Sequence, residues 1–146
     1  IREEKEEVDL LQMAQSLVKD YALLAKERKL HVDISLTNQQ AYINPSVMKL
    51  ILSNLISNAI KHSTLGGLVR IGEREGELFI ENSCSPEEQE KLAQSFSENA
   101  SRKAKGSGMG LFVVKSLLEH EKLSYHFEMQ GDRLSFLIRY PKVTHD

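Results

Sequence analysis

Asn54 and Asn58 share the stretch Asn54-Leu-Ile-Ser-Asn58-Ala-Ile-Lys61-His62-Ser63 with a lysine and a histidine. Asparagine is a poor residue for a helix interior, because its amide competes for backbone partners, so two of them cost helix propensity. They offer ligand chemistry in exchange. An amide oxygen is a hard, neutral donor, suited to a metal such as Mg²⁺ that arrives already complexed to phosphate and keeps several waters. Lys61 would place a point charge near a phosphate oxygen. From the helix alone, satisfaction of nearby backbone groups at a helix edge accounts for both amides equally well. Further along, Gly106, Gly108 and Gly110 stand just before a helical run in Gly106-Ser107-Gly108-Met109-Gly110-Leu111. Glycines let backbone N–H groups come close to a ligand, and a helix N-terminus adds donors and a positive dipole end. Such spacing also occurs for purely structural reasons. Arg102, Lys103 and Lys105 lie immediately upstream. As a group they could close over phosphates; singly, each reads as a solvated basic residue.

These residues need elements to hold them. Val8-Asp9-Leu10 ends a short strand, with Asp9 available to cap the next helix. Leu10, Ala14, Leu17, Tyr21 and Leu24 recur in steps of four and three, the stripe of one amphipathic helix ending near Arg28-Lys29. Leu30, Val32, Ile34 and Leu36 alternate with polar residues as a half-buried strand, and Thr37 to Gln40 form a polar turn. Asn44-Pro45 supplies a cap and a first helical residue for the asparagine helix, which runs to about His62. Along it Met48, Ile51, Leu52, Leu55 and Ala59 form one apolar stripe. Lys49, Ser53 and Ser57 lie on the solvent side, and Asn54, Asn58 and Lys61 line the flank.

Past Gly66-Gly67, Leu68 to Gly72 and Glu77 to Asn82 make a hairpin around Glu75-Gly76. Glu87 to Phe96 is a short helix, and Ser97 to Lys105 lacks any large apolar residue and is expected to be a mobile loop. A helix over Leu111 to His120 precedes a closing hairpin, in which Tyr125, Phe127 and Met129 face Leu134, Phe136, Ile138 and Tyr140 across Gly131-Asp132. Strands and helices mix without strict βαβ alternation. The fold class that follows is α+β: a two-layer sandwich of a mixed, mostly antiparallel sheet with helices on one face.

A chain of 146 residues is expected to be a single domain, long enough to bury roughly 70% of its unfolded surface. A net charge of −2 argues against a broad nucleic-acid footprint. Apolar stretches are too short to span a membrane, and no signal peptide is visible. The single cysteine, Cys84, excludes an internal disulfide framework and fits a reducing compartment.

The asparagine segment and the Gly106-Ser-Gly108-Met-Gly110-Leu111 box, in this order, resemble the nucleotide site of the sensor histidine kinases. These belong to the GHKL superfamily, with the gyrase-type, heat-shock-chaperone-type and mismatch-repair ATPases. The resemblance covers nearly the whole chain and implies a Bergerat-type ATP-binding fold with ATP and Mg²⁺ as cofactors. By it, Asn58 is the Mg²⁺ ligand, Lys61 lies near the phosphates and His62 packs beside the nucleotide. Gly106, Ser107, Gly108, Met109, Gly110 and Leu111 form the second glycine box, Arg102 and Lys105 belong to the nucleotide lid, and Phe96 matches the phenylalanine that precedes it. Asn54 stands where hydrolysing relatives carry a glutamate that activates water. Asparagine cannot act as a general base, so the resemblance implies slow hydrolysis and transfer of phosphate to an acceptor other than water.

One motif departs from the family. Where it has Asp-x-Gly-x-Gly, this chain has Asn82-Ser83-Cys84-Ser85-Pro86. Strand parity points Leu78, Ile80 and Asn82 inward and Glu81 outward, so Asn82 replaces the aspartate that meets adenine and Glu81 is expected to be a solvated strand residue. A hydrogen bond to a neutral amide is weaker than one to a carboxylate, so the expectation is weaker adenine binding and less discrimination against guanine.

The reading is the ATP-binding kinase domain of a two-component sensor histidine kinase. Its expected partners are the parent's dimerisation and phosphoacceptor-histidine helices, absent from this chain, and a response regulator downstream. No nucleic acid or direct membrane contact is expected. None of His31, His62, His120, His126 and His145 has the context of the phosphorylated histidine, so little autophosphorylation is expected from this chain alone. The expected location is cytoplasmic, as part of a membrane-anchored sensor. The alternatives are a GHKL-type serine kinase or ATPase, and a degenerate module that keeps the fold without nucleotide.

Overall fold

The computed structural model describes residues 4–97 and 107–143. The chain runs β1 (Glu6–Asp9), α1 (Leu10–Asp20), α2 (Ala22–Glu27), β2 (His31–Ser35), β3 (Gln40–Ile43), α3 (Pro45–His62), β4 (Leu68–Arg74), β5 (Glu77–Ser83), α4 (Pro86–Ser97), α5 (Ser107–His120), β6 (Ser124–Gln130) and β7 (Arg133–Arg139). Five strands form the main sheet in the order β2-β4-β5-β7-β6. The β2–β4 pair is parallel and the other three are antiparallel. The helices share one sheet face, as the sequence predicts.

Local chemistry sets the element boundaries. Asp9 caps α1 by accepting from the Gln12 N–H at 3.0 Å. The Asn44 side chain accepts from Ser46 and Val47, and Pro45 follows at the first helical position, where a missing N–H costs nothing. Gly131, at φ +60°, opens the two-residue turn between β6 and β7.

Three expectations need correction. The first helix is two helices, because Tyr21 leaves the helical angles (φ −103°, ψ 14°) where its hydroxyl meets Ser53 Oγ at 3.0 Å. That contact also removes Ser53 from the purely solvent side. The polar turn ends earlier than predicted, because Gln40 begins β3, which pairs antiparallel with β1 in a small second sheet. The buried surface of α3 is wider than one stripe, since Ile56 and Ile60 are fully buried alongside the five predicted residues. The helix packs against α5, β5, α1 and α2 together, so polar residues are left only a narrow flank.

The core lies between helices and sheet, with Val69, Ile71, Leu78, Ile80, Phe136 and Ile138 on the inner face. The outer face has a lattice of charges. Phe79 lies there beneath the guanidinium groups of Arg70 and Arg74, 5.6 and 5.8 Å from its ring centre. It also crosses Gly72 so closely that a Cβ there would come within 2.6 Å of the ring. Glu81 is a further correction. Its carboxylate sits 3.5 Å from both Arg70 and Arg133 and accepts from Ser135 Oγ at 3.1 Å, so it is a partnered strand residue rather than a solvated one.

Candidate nucleotide site

Leu111 of α5, the second half of α3 and the end of β5 meet around a small cavity of about 30 Å³. Asn58 and Asn82 supply its polar lining, and Leu92, Leu111 and Phe127 are among its apolar walls. Room of this size suits one or two waters, so a purine would have to part the walls. The cavity therefore brings together three residues singled out in the sequence: Asn58, Asn82 and Leu111.

Each asparagine is oriented by its own amide nitrogen. Asn54 Nδ2 donates to the Leu50 carbonyl and Asn58 Nδ2 to the Asn54 carbonyl, both at 2.8 Å. The backbone-satisfaction reading thus holds for the nitrogens and leaves the oxygens as the available ligand atoms. Asn82 follows the parity expectation: it is 5% exposed on the inward side of β5, with Nδ2 donating to the Ser83 carbonyl at 3.2 Å.

The other sequence candidates sit around this centre. Lys61 is exposed on the last turn of α3. His62 Nδ1 lies 3.0 Å from Glu88 Oε1 on α4, while its Nε2 is buried without a hydrogen-bond partner among the described residues. Ser107, Gly108, Met109 and Gly110 form the first turn of α5 itself. The predicted helix therefore begins four residues early, and its glycines lie inside it at a cost of about 1 kcal/mol each relative to alanine. Arg102, Lys103, Lys105 and Gly106 lie outside the described residues, as does most of the expected loop.

The end of α3 is tied down from several directions. An Arg28 guanidinium N–H donates to the Ser63 carbonyl, Ser63 Oγ donates to the Ala59 carbonyl, and Thr64 N–H donates to the Ser83 carbonyl. Sequence reasoning missed Arg28 in this role, because nothing local marks a residue 35 positions upstream as a helix-end partner.

It also missed Gln89. This side chain is 2% exposed, and its Nε2 donates to the Cys84 carbonyl at 2.7 Å and the Gly131 carbonyl at 2.9 Å. The Cys84 N–H completes the clamp by donating to the Asp132 carbonyl at 2.7 Å. The segment that departs from the family's first glycine box is thus pinned to the β6–β7 turn. Pro86 is the first residue of α4, whose Ser85 side chain accepts from the Glu88 N–H. Burial and the nearby Glu88 push the Cys84 thiol up to about 11, so it is neither a thiolate nor a nucleophile at neutral pH.

Comparison with known proteins gives this arrangement its family. Residues 43–143 match the histidine kinase-, DNA gyrase B-, and HSP90-like ATPase family, a span that contains every sequence-predicted site residue. The chain belongs to that family. Among its relatives, the sensor histidine protein kinase HK06 of Streptococcus pneumoniae is 36% identical over 106 residues, 66% of this chain and 24% of HK06. The sensor protein EvgS of Escherichia coli O157:H7 is 30% identical over 140 residues, 86% of this chain and 11% of EvgS. This ATPase-family chain therefore spans a quarter or less of the length of these sensor kinases.

Solved structures agree in fold. The catalytic domain of histidine kinase ThkA superposes with a TM-score of 0.78 at 20% identity, covering 95% of this chain and 96% of that one. The Acinetobacter baumannii histidine kinase AdeS gives 0.76 at 21% identity over 99% and 70%. The chain thus has the fold of the histidine kinase catalytic domains, the α+β arrangement that its sequence implies. Among the described residues, no helix is long and apolar enough to cross a membrane.

Proposed function

We propose that this domain holds ATP as its Mg²⁺ complex and presents the terminal phosphate to a histidine elsewhere in the parent kinase, from which it passes to a response regulator. The observation that carries this reading is the meeting of Asn58, Asn82 and Leu111 at one cavity, Leu111 following directly on the first turn of α5. The donor set suits the metal: the Asn58 amide nitrogen is engaged by the Asn54 carbonyl, which leaves a neutral, hard oxygen. The bound metal would neutralise charge on the phosphates.

The chain's own residues do the rest. The backbone N–H groups at the start of α5 offer donors and a positive dipole end to phosphate, and Lys61 adds a point charge. Asn82 offers its amide oxygen to the exocyclic amine of adenine. His62, held by Glu88, flanks the nucleotide, and Arg102 and Lys105 complete the phosphate surroundings. Asn54 places an amide where a base would activate water, so transfer to an acceptor prevails over hydrolysis. Catalysis of this kind is alignment and charge neutralisation. The single-domain organisation, the separate phosphoacceptor helices, the cytoplasmic location and the absence of nucleic-acid or membrane contact by this domain belong to the same proposal.

A second reading, a nucleotide-free module, is favoured by the clamp that Gln89 forms over the altered glycine box. Calorimetric titration with ATP, with and without Mg²⁺, beside an Asn58→Ala variant, decides between the two. Saturable binding that strengthens with Mg²⁺, and loses that dependence in the variant, supports the kinase site. No binding at millimolar nucleotide by folded protein points to the module or to a site completed only by the parent's other helices.

A further inference from the structure

His62 ends α3 with an imidazole that is only half satisfied. Its Nδ1 lies 3.0 Å from Glu88 Oε1, and its Nε2 is buried with no hydrogen-bond partner among the described residues. A carboxylate only accepts, so Nδ1 is the donor of this bond. Nε2 is then a lone pair in the neutral ring and an N–H in the charged one. In either state it is a buried polar atom with nothing to bond, and such atoms are rare in folded proteins.

Both partners stand on fixed backbone. Glu88 lies in the first turn of α4, where its N–H donates to Ser85 Oγ at 3.2 Å. The next residue, Gln89, ties that helix to the Cys84 and Gly131 carbonyls. His62 precedes Ser63, whose carbonyl accepts from Arg28 and whose hydroxyl donates to the Ala59 carbonyl. The two side chains are sheltered accordingly, at 19% exposure for His62 and 36% for Glu88.

The pair also adjoins the cavity. His62 is one turn beyond Asn58 on α3 and Glu88 one turn before Leu92 on α4, and both Asn58 and Leu92 line the cavity. Just past His62, the Thr64 N–H donates to the Ser83 carbonyl, beside Asn82. His62 therefore stands between Asn58, which takes the phosphate-bound metal in the proposed function, and the end of β5, where Asn82 takes the base. The part of a nucleotide between phosphate and base is its sugar.

We propose that His62 Nε2 bonds a ribose hydroxyl of the nucleotide, and that Glu88 is the positioning residue that aims it; the inference rests on the nucleotide-binding reading. A hydroxyl both donates and accepts, so it complements Nε2 in either charge state of the ring. A phosphate oxygen, which only accepts, and an adenine amine, which only donates, do not. Glu88 acts without touching the ligand, by holding Nδ1 so that the ring keeps Nε2 on the cavity side of the pair. The site thereby tells a ribonucleotide from a deoxyribonucleotide.

Calorimetric titration with ATP, 2′-deoxy-ATP and 3′-deoxy-ATP in the presence of Mg²⁺ tests this. ATP should bind about fivefold more tightly than one of the two analogues, the size of one net hydrogen bond. His62→Phe keeps a ring and loses both nitrogens, so it should bind all three alike. Glu88→Ala should lose most of the preference, and Glu88→Gln, whose amide oxygen still accepts from Nδ1, should recover it. A merely structural role would weaken all three nucleotides by the same factor. Thermal melts verify that each variant is folded. ATP binding without preference in the wild type overturns the inference and leaves the nucleotide-binding reading standing. So does a preference that survives His62→Phe, while one that survives Glu88→Ala removes the positioning role. A wild type that binds no ATP overturns both the inference and the reading that this domain holds ATP on its own.

Discussion

Gln89→Ala should cost about 2 to 3 kcal/mol of folding stability, most of it from one carbonyl. The wild-type side chain serves two acceptors, and the two differ. Its bond to the Cys84 carbonyl is buried and its bond to the Gly131 carbonyl is only part-buried. Truncation lets water reach the Gly131 oxygen, so that loss is near the net value of one hydrogen bond, about 1 kcal/mol. The Cys84 oxygen has no such replacement and bears a desolvation penalty of roughly 1 to 3 kcal/mol. Lost packing of the side-chain methylene adds up to about 0.8 kcal/mol, and regained side-chain entropy offsets roughly 1.5 kcal/mol. Urea unfolding followed by circular dichroism reads the difference, and the melting temperature should fall by roughly 5 to 10 °C. Gln89→Met separates the causes, because it keeps the volume and removes the donor. A Gln89→Met variant as stable as wild type would refute the reasoning, since the clamp would then act through packing alone.

Asn82→Asp should raise the ratio of ATP to GTP affinity about fivefold, because a carboxylate binds the adenine amine more strongly and repels the guanine carbonyl; equal ratios by calorimetry remove the idea. The same variant should lose stability, since the carboxylate faces the Ser83 carbonyl that the wild-type amide serves at 3.2 Å. Gly72→Ala should destabilise by about 1 to 3 kcal/mol through the clash with Phe79, and Gly72→Ala with Phe79→Leu should lose less than the two single changes summed. Cys84 should be unreactive to a thiol reagent until the chain unfolds. Its folded value of about 11 lies above the ordinary 9.0, so the unfolded thiol ionises first and stability falls as pH rises through that window. Cys84→Ala should flatten that part of a stability-against-pH curve. Glu128 is held below the usual carboxylate range, chiefly by its hydrogen bond to Arg74, so its contribution is present at neutral pH and lost on acidification through the folded value. Glu128→Gln should reduce the acid dependence of unfolding, while an unchanged profile would show the exposed pair to be energetically silent.

The elements that proved legible are those whose signal repeats over several turns or pleats. Asparagine helix α3 announces itself by Asn44-Pro45 and a sustained apolar period, and both hairpins by alternation around glycine turns. Strand β3 does not, because four residues, Gln40 to Ile43, give only two buried positions and cannot be told from a loop without their partner β1. The break at Tyr21 is invisible for a similar reason: the apolar spacing continues through it while the backbone bends to reach Ser53. Of the site, Asn58, Asn82 and Leu111 follow from helix period, strand parity and the glycine box. Gln89 and Arg28 do not, because a side chain that satisfies remote carbonyls leaves no periodic trace.

The walls of the central cavity differ in how they are held. Its α3 and β5 sides end in directed bonds, from Arg28 and Thr64 at the helix terminus and from Cys84 and Gln89 beyond the strand. Helix α4 shares in those bonds through Gln89 and through Glu88 against His62, but it and α5 meet the cavity itself through Leu92 and Leu111, whose apolar contacts have no preferred direction. Admitting a purine is therefore chiefly a matter of parting the apolar surfaces of Leu92 and Leu111. Such a step is soft in enthalpy, and re-covering the ring should leave its mark as a negative heat-capacity change of binding.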